Sequence, residues 1–139
     1  QNALNKLKNV ESTSTTKEKY KYAPALPHYF IMVVPNGEGN TNNIKSNISN
    51  FNSASFSSLG LKTSNSFLDQ KTQLILVKSF KSAEAAKDYY LAFTVNTTSV
   101  KALKNKYKHF LISTKNYSAL YADKNIEDYI SFFEKYYEK

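Results

Sequence analysis

His28-Tyr29-Phe30-Ile31-Met32-Val33-Val34-Pro35-Asn36-Gly37 is the stretch on which the architecture turns. Tyr29 to Val34 is an unbroken apolar run, too short for an ordinary helix and rich in β-branched residues, so it reads as a strand. With no polar residue on either side of the pleat, that strand has to be covered on both faces and therefore sits inside a sheet. Proline removes an N–H from the ladder and Asn-Gly favours a turn, so the run ends at Pro35-Asn36-Gly37. Thr72 to Phe80, with Leu74-Ile75-Leu76-Val77 inside it, repeats the same continuous apolar character and predicts a second central strand.

Outward from these two runs the period changes. Ile44, Ile48 and Phe51 fall on one helical face, with Thr41 as N-cap, and predict a helix over 41–54. Leu61, Thr63 and Phe67 alternate in a polar segment and predict a short edge strand, followed by a turn at Asp69-Gln70-Lys71. Ser82 caps a helix carrying Ala83, Ala86, Tyr90 and Phe93, with Glu84 in the first turn where the dipole favours a carboxylate. A helical stretch after Thr98 presents Val100, Leu103 and Tyr107, and Phe110-Leu111-Ile112 is the last strand. Ile126, Ile130, Phe133 and Tyr137 form the stripe of a terminal helix, acidic at its start and basic at its end. The order is strand, helix, strand, strand, helix, strand, which is the βαββαβ pattern of the ferredoxin-like α+β fold, here with a four-stranded antiparallel sheet in the order 4-1-3-2 and an additional C-terminal helix. Its first and third strands are central, as the two apolar runs require. The domain is expected over 26–139, with 1–25, polar and lysine-rich up to Pro24, as a flexible linker or tail.

Composition narrows the chemistry. The 139 residues suit one domain with its own core, and 11 Tyr with 9 Phe exclude a wholly disordered chain. No apolar run approaches the roughly 20 residues of a membrane span. No charged-plus-apolar leader is visible after Gln1, an expectation that leaves room for a precursor from which one has been trimmed. The absence of Cys removes thiol nucleophiles, disulfides and thiolate metal sites. The net charge is +8, and every one of the 19 basic residues is Lys. Sequence-specific reading of nucleic acid leans on the planar guanidinium, so no specific nucleic-acid partner is expected.

No catalytic or metal-binding constellation emerges, and no cofactor is expected. His28 and His109 each precede a strand, and antiparallel pairing of the first and fourth strands puts them at opposite ends, as surface histidines at strand starts. Asp69, Asp88, Asp123, Glu127 and Asp128 fall at turns and helix starts, where capping explains them. Gly37-Glu38-Gly39 lacks the third glycine of a dinucleotide fingerprint and the Gly-Lys-Ser/Thr of a P-loop, and reads as a turn. The strongest functional signal is aromatic: Tyr117, Tyr121, Tyr129 and Tyr136, with Phe132, gather around the last helix as interface candidates. Ile126, Ile130 and Phe133 are expected to dock this helix on the domain. The neighbouring stripe Tyr129, Phe132 and Tyr136 is then expected to meet either the N-terminal segment or a partner protein.

Ile112-Ser113-Thr114-Lys115-Asn116-Tyr117, followed by Tyr121, Lys124 and Tyr129-Ile130-Ser131-Phe132-Phe133-Glu134-Lys135-Tyr136-Tyr137, resembles the C-terminal end of Bacteroidetes envelope lipoproteins of the SprE/PorW kind, which serve gliding motility and type IX secretion. His28-Tyr29-Phe30 and Ile48-Ser49-Asn50-Phe51-Asn52 are similar to the family's first-strand and first-helix segments, so the resemblance spans about 26–139. It implies a periplasmic or outer-membrane-associated accessory module that acts by protein contacts, with a protein partner or a preceding repeat domain of the same parent chain. Leu76-Val77-Lys78-Ser79-Phe80-Lys81-Ser82-Ala83-Glu84-Ala85-Ala86 is similar to the central strand-to-helix segment of SPOR domains, which bind peptidoglycan glycans on their sheet. Lys78 stands where that family usually has glycine, and no Arg is available for the glycan, so peptidoglycan ranks second as a partner.

Overall fold

The computed structural model describes residues 19–138. In chain order the elements are β1 (His28–Pro35), α1 (Thr41–Phe56) with a 3-10 turn at Ser57–Leu59, β2 (Lys62–Phe67), β3 (Thr72–Phe80), α2 (Ala83–Val95), α3 (Lys101–Lys106), β4 (His109–Ser113), α4 (Thr114–Asp123) and α5 (Ile126–Tyr137). The sheet runs β2-β3-β1-β4 with every pair antiparallel, which is the ferredoxin-like order with the two apolar strands in the middle. No helix among the described residues is long and apolar enough to cross a membrane.

Each central strand divides its residues between two cores. Phe30 pairs with Val77 and Met32 with Ile75 on the face that α1 and α2 cover. There the Phe30 ring lies 5.2 Å from Tyr89 and 4.7 Å from Phe93, and the Tyr89 hydroxyl donates to Asn52 Oδ1 at 2.5 Å. On the opposite face Ile31 pairs with Leu76 and, on its other side, with Phe110, while Tyr29 pairs with Ile112. Ile31, Leu74, Leu76, Phe110 and Ile112 are all buried. A minimal βαββαβ unit would leave them in water, at a cost of roughly 1.5 to 3 kcal/mol each.

What buries them is α4, α5 and the segment before β1. α4 was not legible as a helix, because Thr114–Asp123 is polar and lacks a clean 3.6-residue stripe. Its ends are local: the Ser113 side chain accepts from Asn116 N, and Lys124 closes it at φ 65° in the left-handed region. It crosses the sheet from Tyr29, whose ring meets Tyr117 edge-on at 5.5 Å, to the end of β2, where Tyr121 Oη and Lys124 Nζ donate to the Phe67 and Leu68 carbonyls. α5 lies along the β4 edge, and Tyr129 Oη donates to the Leu111 carbonyl at 2.6 Å. A sheet edge is thereby sealed by a helix.

Several expectations are corrected here. Residues 19–25, read as linker, are built into the domain: Tyr20 is 4% exposed and packs edge-on against Tyr129 at 5.0 Å, and Tyr22 stacks on Tyr136 at 5.6 Å. The rest of that expected linker, residues 1–18, lies outside the described residues. The buried Asn116 grips this segment at Lys21, accepting from Lys21 N at 3.1 Å and donating to Lys21 O at 2.8 Å. Pro24 O and Pro27 O accept from Ala83 N and Thr114 N, the first residues of α2 and α4, whose N–H groups have no partner within the helix. In α2 it is Tyr89, not Tyr90, that is fully buried. In α5 the deep residues are Tyr129, Phe132, Phe133 and Tyr137, whereas Ile126 and Ile130 are half-buried. Aromatic area explains the choice, since the second stripe has an aromatic partner in Tyr20 and Tyr22.

The stripe is therefore core, and unfolding energies should say so. In urea titrations Tyr129→Ala should cost about 3 to 5 kcal/mol, as large aromatic truncations in cores do. Tyr129→Phe should cost about 1 to 3 kcal/mol by leaving the Leu111 carbonyl without its donor. A Tyr129→Ala loss no larger than that of Tyr136→Ser would refute this packing.

Candidate functional site

His28 opens β1 and was expected at the surface; it is 0% exposed. Its Nδ1 lies 2.7 Å from the Leu26 carbonyl, which can only accept, so Nδ1 carries a proton. In the neutral ring Nε2 accepts from the Tyr137 hydroxyl at 2.8 Å. Burial holds the His28 pKa below its ordinary value of 6.5, against a smaller upward pull from the Leu26 bond. Both nitrogens are committed to joining the segment before β1 to the end of α5, which is a structural role.

His109, at the start of β4, sits at the far end of the β1–β4 pair, opposite Met32, so the two histidines share no site. It lines a cleft of about 470 Å³ between α5 and the α3–β4 connection, with Tyr90, Lys104, Lys108, Glu134 and Glu138 around it. Nδ1 lies 3.1 Å from the Tyr107 carbonyl, which leaves the Nε2 lone pair as an acceptor. The ring is packed against Phe30, Tyr90 and Phe93. Burial lowers its pKa first; Glu138 raises it and Lys104 lowers it, so the nearby carboxylate does not dominate. The tightest bonds of the cleft join its walls. Tyr90 Oη donates to Glu138 Oε2 at 2.6 Å, tying the end of α5 to α2, and Lys108 pairs with Glu127 at the start of α5. Lys104 Nζ is spent on the carbonyls of Thr94 and Asn96, closing α2 against α3. The cleft can offer a neutral imidazole acceptor, and no hydroxyl is held within hydrogen-bond reach of it among the described residues.

Gly37-Glu38-Gly39 is a turn after β1. Gly39 has φ 77°, and a Cβ there would lie 2.5 Å from Tyr107 Oη, so packing against α3's end explains the glycine. Among the described residues no group of three His, Cys, Asp or Glu is placed to hold a metal ion.

The aromatic interface candidates divide. Tyr129 and Phe132 are core, Tyr136 and Tyr117 are half-buried, and Tyr121 is exposed with its hydroxyl on Phe67 O. α4 brings Tyr117 and Tyr121 together at 6.1 Å, whereas Tyr129, Phe132 and Tyr136 are joined through Tyr20 and Tyr22 instead. The polar surface that sequence reasoning passed over is β2, an edge strand with the exposed pattern Lys62-Thr63-Ser64-Asn65-Ser66-Phe67. Its signal was its lack of acidic residues: none occurs between Glu38 and Asp69.

Because the folded pKa of His28 is depressed, its contribution to stability is complete above about 6.5 and is lost as pH falls through that value toward the folded pKa. His109 acts in the same direction. Unfolding midpoints measured from neutral to acid pH should therefore fall below about 6.5, and less steeply in His28→Gln. A His28 ring that titrates at or above its ordinary value by NMR would contradict this.

No family model matches the chain, and no curated protein and no solved structure has significant similarity to it.

Proposed function

We propose that the chain is a non-enzymatic protein-interaction module of a bacterial envelope protein, periplasmic or associated with the outer membrane, and accessory to type IX secretion or gliding motility. The resemblance of 112–137 to the ends of SprE/PorW-like proteins supplies the setting. The observation that carries the interaction reading is closure of the sheet. The face on which this topology would hold a glycan strand or a row of bases is filled by α4 and by the segment beginning at Lys19, with Ile31, Leu74 and Leu76 beneath. A ligand that needs the open sheet has nowhere to lie, which disfavours a SPOR-like mode.

The polar interior supports the same reading, because its groups are used to hold elements together. His28 is bonded to Leu26 and Tyr137, Asn52 to Tyr89, Asn116 to Lys21, and Gln73 to Asn36 and Asn65. Contact chemistry is left to the exterior, where Leu91 and Val95 stand out on α2 at 61% and 73% exposure.

Two measurements test this. Purified chain mixed with isolated sacculi at low salt, where attraction by lysines is strongest, should stay in the supernatant. Co-sedimentation abolished by sheet-face substitutions would favour the glycan reading instead. Antibody to the chain should find it in the periplasmic or outer-membrane fraction of Bacteroidetes cells that carry it, in a complex larger than the 15.8 kDa chain. A free monomer in the cytosolic fraction would overturn the proposal.

A further inference from the structure

The two edges of the sheet are treated differently. β4 is sealed by α5, through the Tyr129 bond to Leu111 O. β2 pairs only with β3, and among the described residues no chain pairs with its outer side over Lys62 to Ser66. Just beyond, Tyr121 and Lys124 take up the carbonyls of Phe67 and Leu68, which bounds the free stretch at that end. An unpaired row of backbone donors and acceptors is a template for another strand.

Charge decides which strand. Lys62 opens the free edge, and Lys45 reaches it from α1, its Nζ 2.8 Å from Asn65 Oδ1. The ion pairs among the described residues are Lys19 with Asp123 and Asp128, and Lys108 with Glu127, all away from this edge. Lys78 instead lies over the Tyr29 ring at 5.1 Å. Five of the 11 acidic residues occur from Asp123 onward, and four of them, Asp123, Glu127, Asp128 and Glu138, have partners in Lys19, Lys108 and Tyr90. A second copy would bring a β2 with one lysine and no carboxylate, so it offers Lys45 and Lys62 no opposite charge. The first 18 residues, with three lysines and two glutamates, offer no surplus of negative charge either.

We infer that β2 receives an extended acidic segment of a partner protein as a fifth strand, its backbone bonding to the outer side of Lys62–Ser66 and its carboxylates meeting Lys45 and Lys62. This rests on the reading of the chain as a protein-interaction module and names the partner's chemistry. Main-chain bonds supply affinity in strand addition and side-chain contacts supply selectivity. Thr63, Ser64, Asn65 and Ser66 are small and polar, so they let a neighbouring strand approach.

The test titrates the full chain with a capped peptide of about eight residues, alternating Glu and Val and long enough for one strand. Controls are the matching Lys-Val peptide and a Glu-Val peptide N-methylated at alternate residues to block its bonding edge. NMR amide shifts should concentrate on Lys62–Ser66, the Lys-Val peptide should not bind, and added salt should weaken the complex. The N-methylated peptide, and the variant Lys45→Glu with Lys62→Glu, should each lose at least ~10-fold in affinity, with the variant's thermal midpoint as the check on folding. The inference fails if the Glu-Val peptide does not bind, if N-methylation leaves binding intact, or if the shifts lie elsewhere. Such a failure would leave the fractionation result untouched, since that measurement involves neither β2 nor a peptide.

Discussion

The structure depends on covering both sides of two strands that have no polar face. β1 and β3 place Phe30, Met32, Ile75 and Val77 toward α1 and α2, and Ile31, Leu74 and Leu76 the opposite way. One layer of helices can satisfy only half of that demand. The remainder is met by α4, α5 and the stretch from Lys19 to Pro27, which is why elements outside the βαββαβ pattern are not appendages. The polar groups that accompany them serve the same end. Asn116 holds the Lys21 backbone, the carbonyls of Pro24 and Pro27 satisfy the first N–H of α2 and α4, and His28 links Leu26 to Tyr137.

Covering the second face also leaves no open face on the sheet among the described residues. What remains available is the perimeter, and the perimeter is asymmetric. The β4 side carries the acidic α5, with Glu127 and Asp128 engaged by Lys108 and Lys19. The β2 side carries Lys62, amides and hydroxyls, and its outer backbone edge has no strand partner among the described residues. Screening by salt limits the reach of such charge to close range.

Much of the fold was legible because it rests on short-range pattern. The unbroken runs 29–34 and 72–80 marked the central strands, and the spacing of Ile44, Ile48 and Phe51 marked α1. Its cap lies at Asn40 rather than Thr41, a one-residue difference set by which side chain reaches Asn43 N. α4 was hidden because a helix lying over an aromatic-rich surface needs few apolar residues of its own, and Leu120 with Tyr117 suffices. The candidate interface was misread for a related reason. Tyr129, Phe132 and Tyr136 are surplus apolar area only until Tyr20 and Tyr22 are placed against them, and those lie more than a hundred residues away in the chain.

By itself, then, the sequence determined the sheet: which segments are strands, which two are central, and the βαββαβ order, because continuous apolar runs and period changes are properties of neighbours in the chain. It also determined the chemistry withheld from the molecule, with no thiol and no guanidinium anywhere. Only the tertiary structure decided that the second face is closed, that His28 is buried, and that among the described residues nothing covers the outer side of β2 while α5 seals β4. Each of these depends on partners distant in sequence. Burial and pairing belong to the surfaces that meet, and a residue's own neighbours do not specify them.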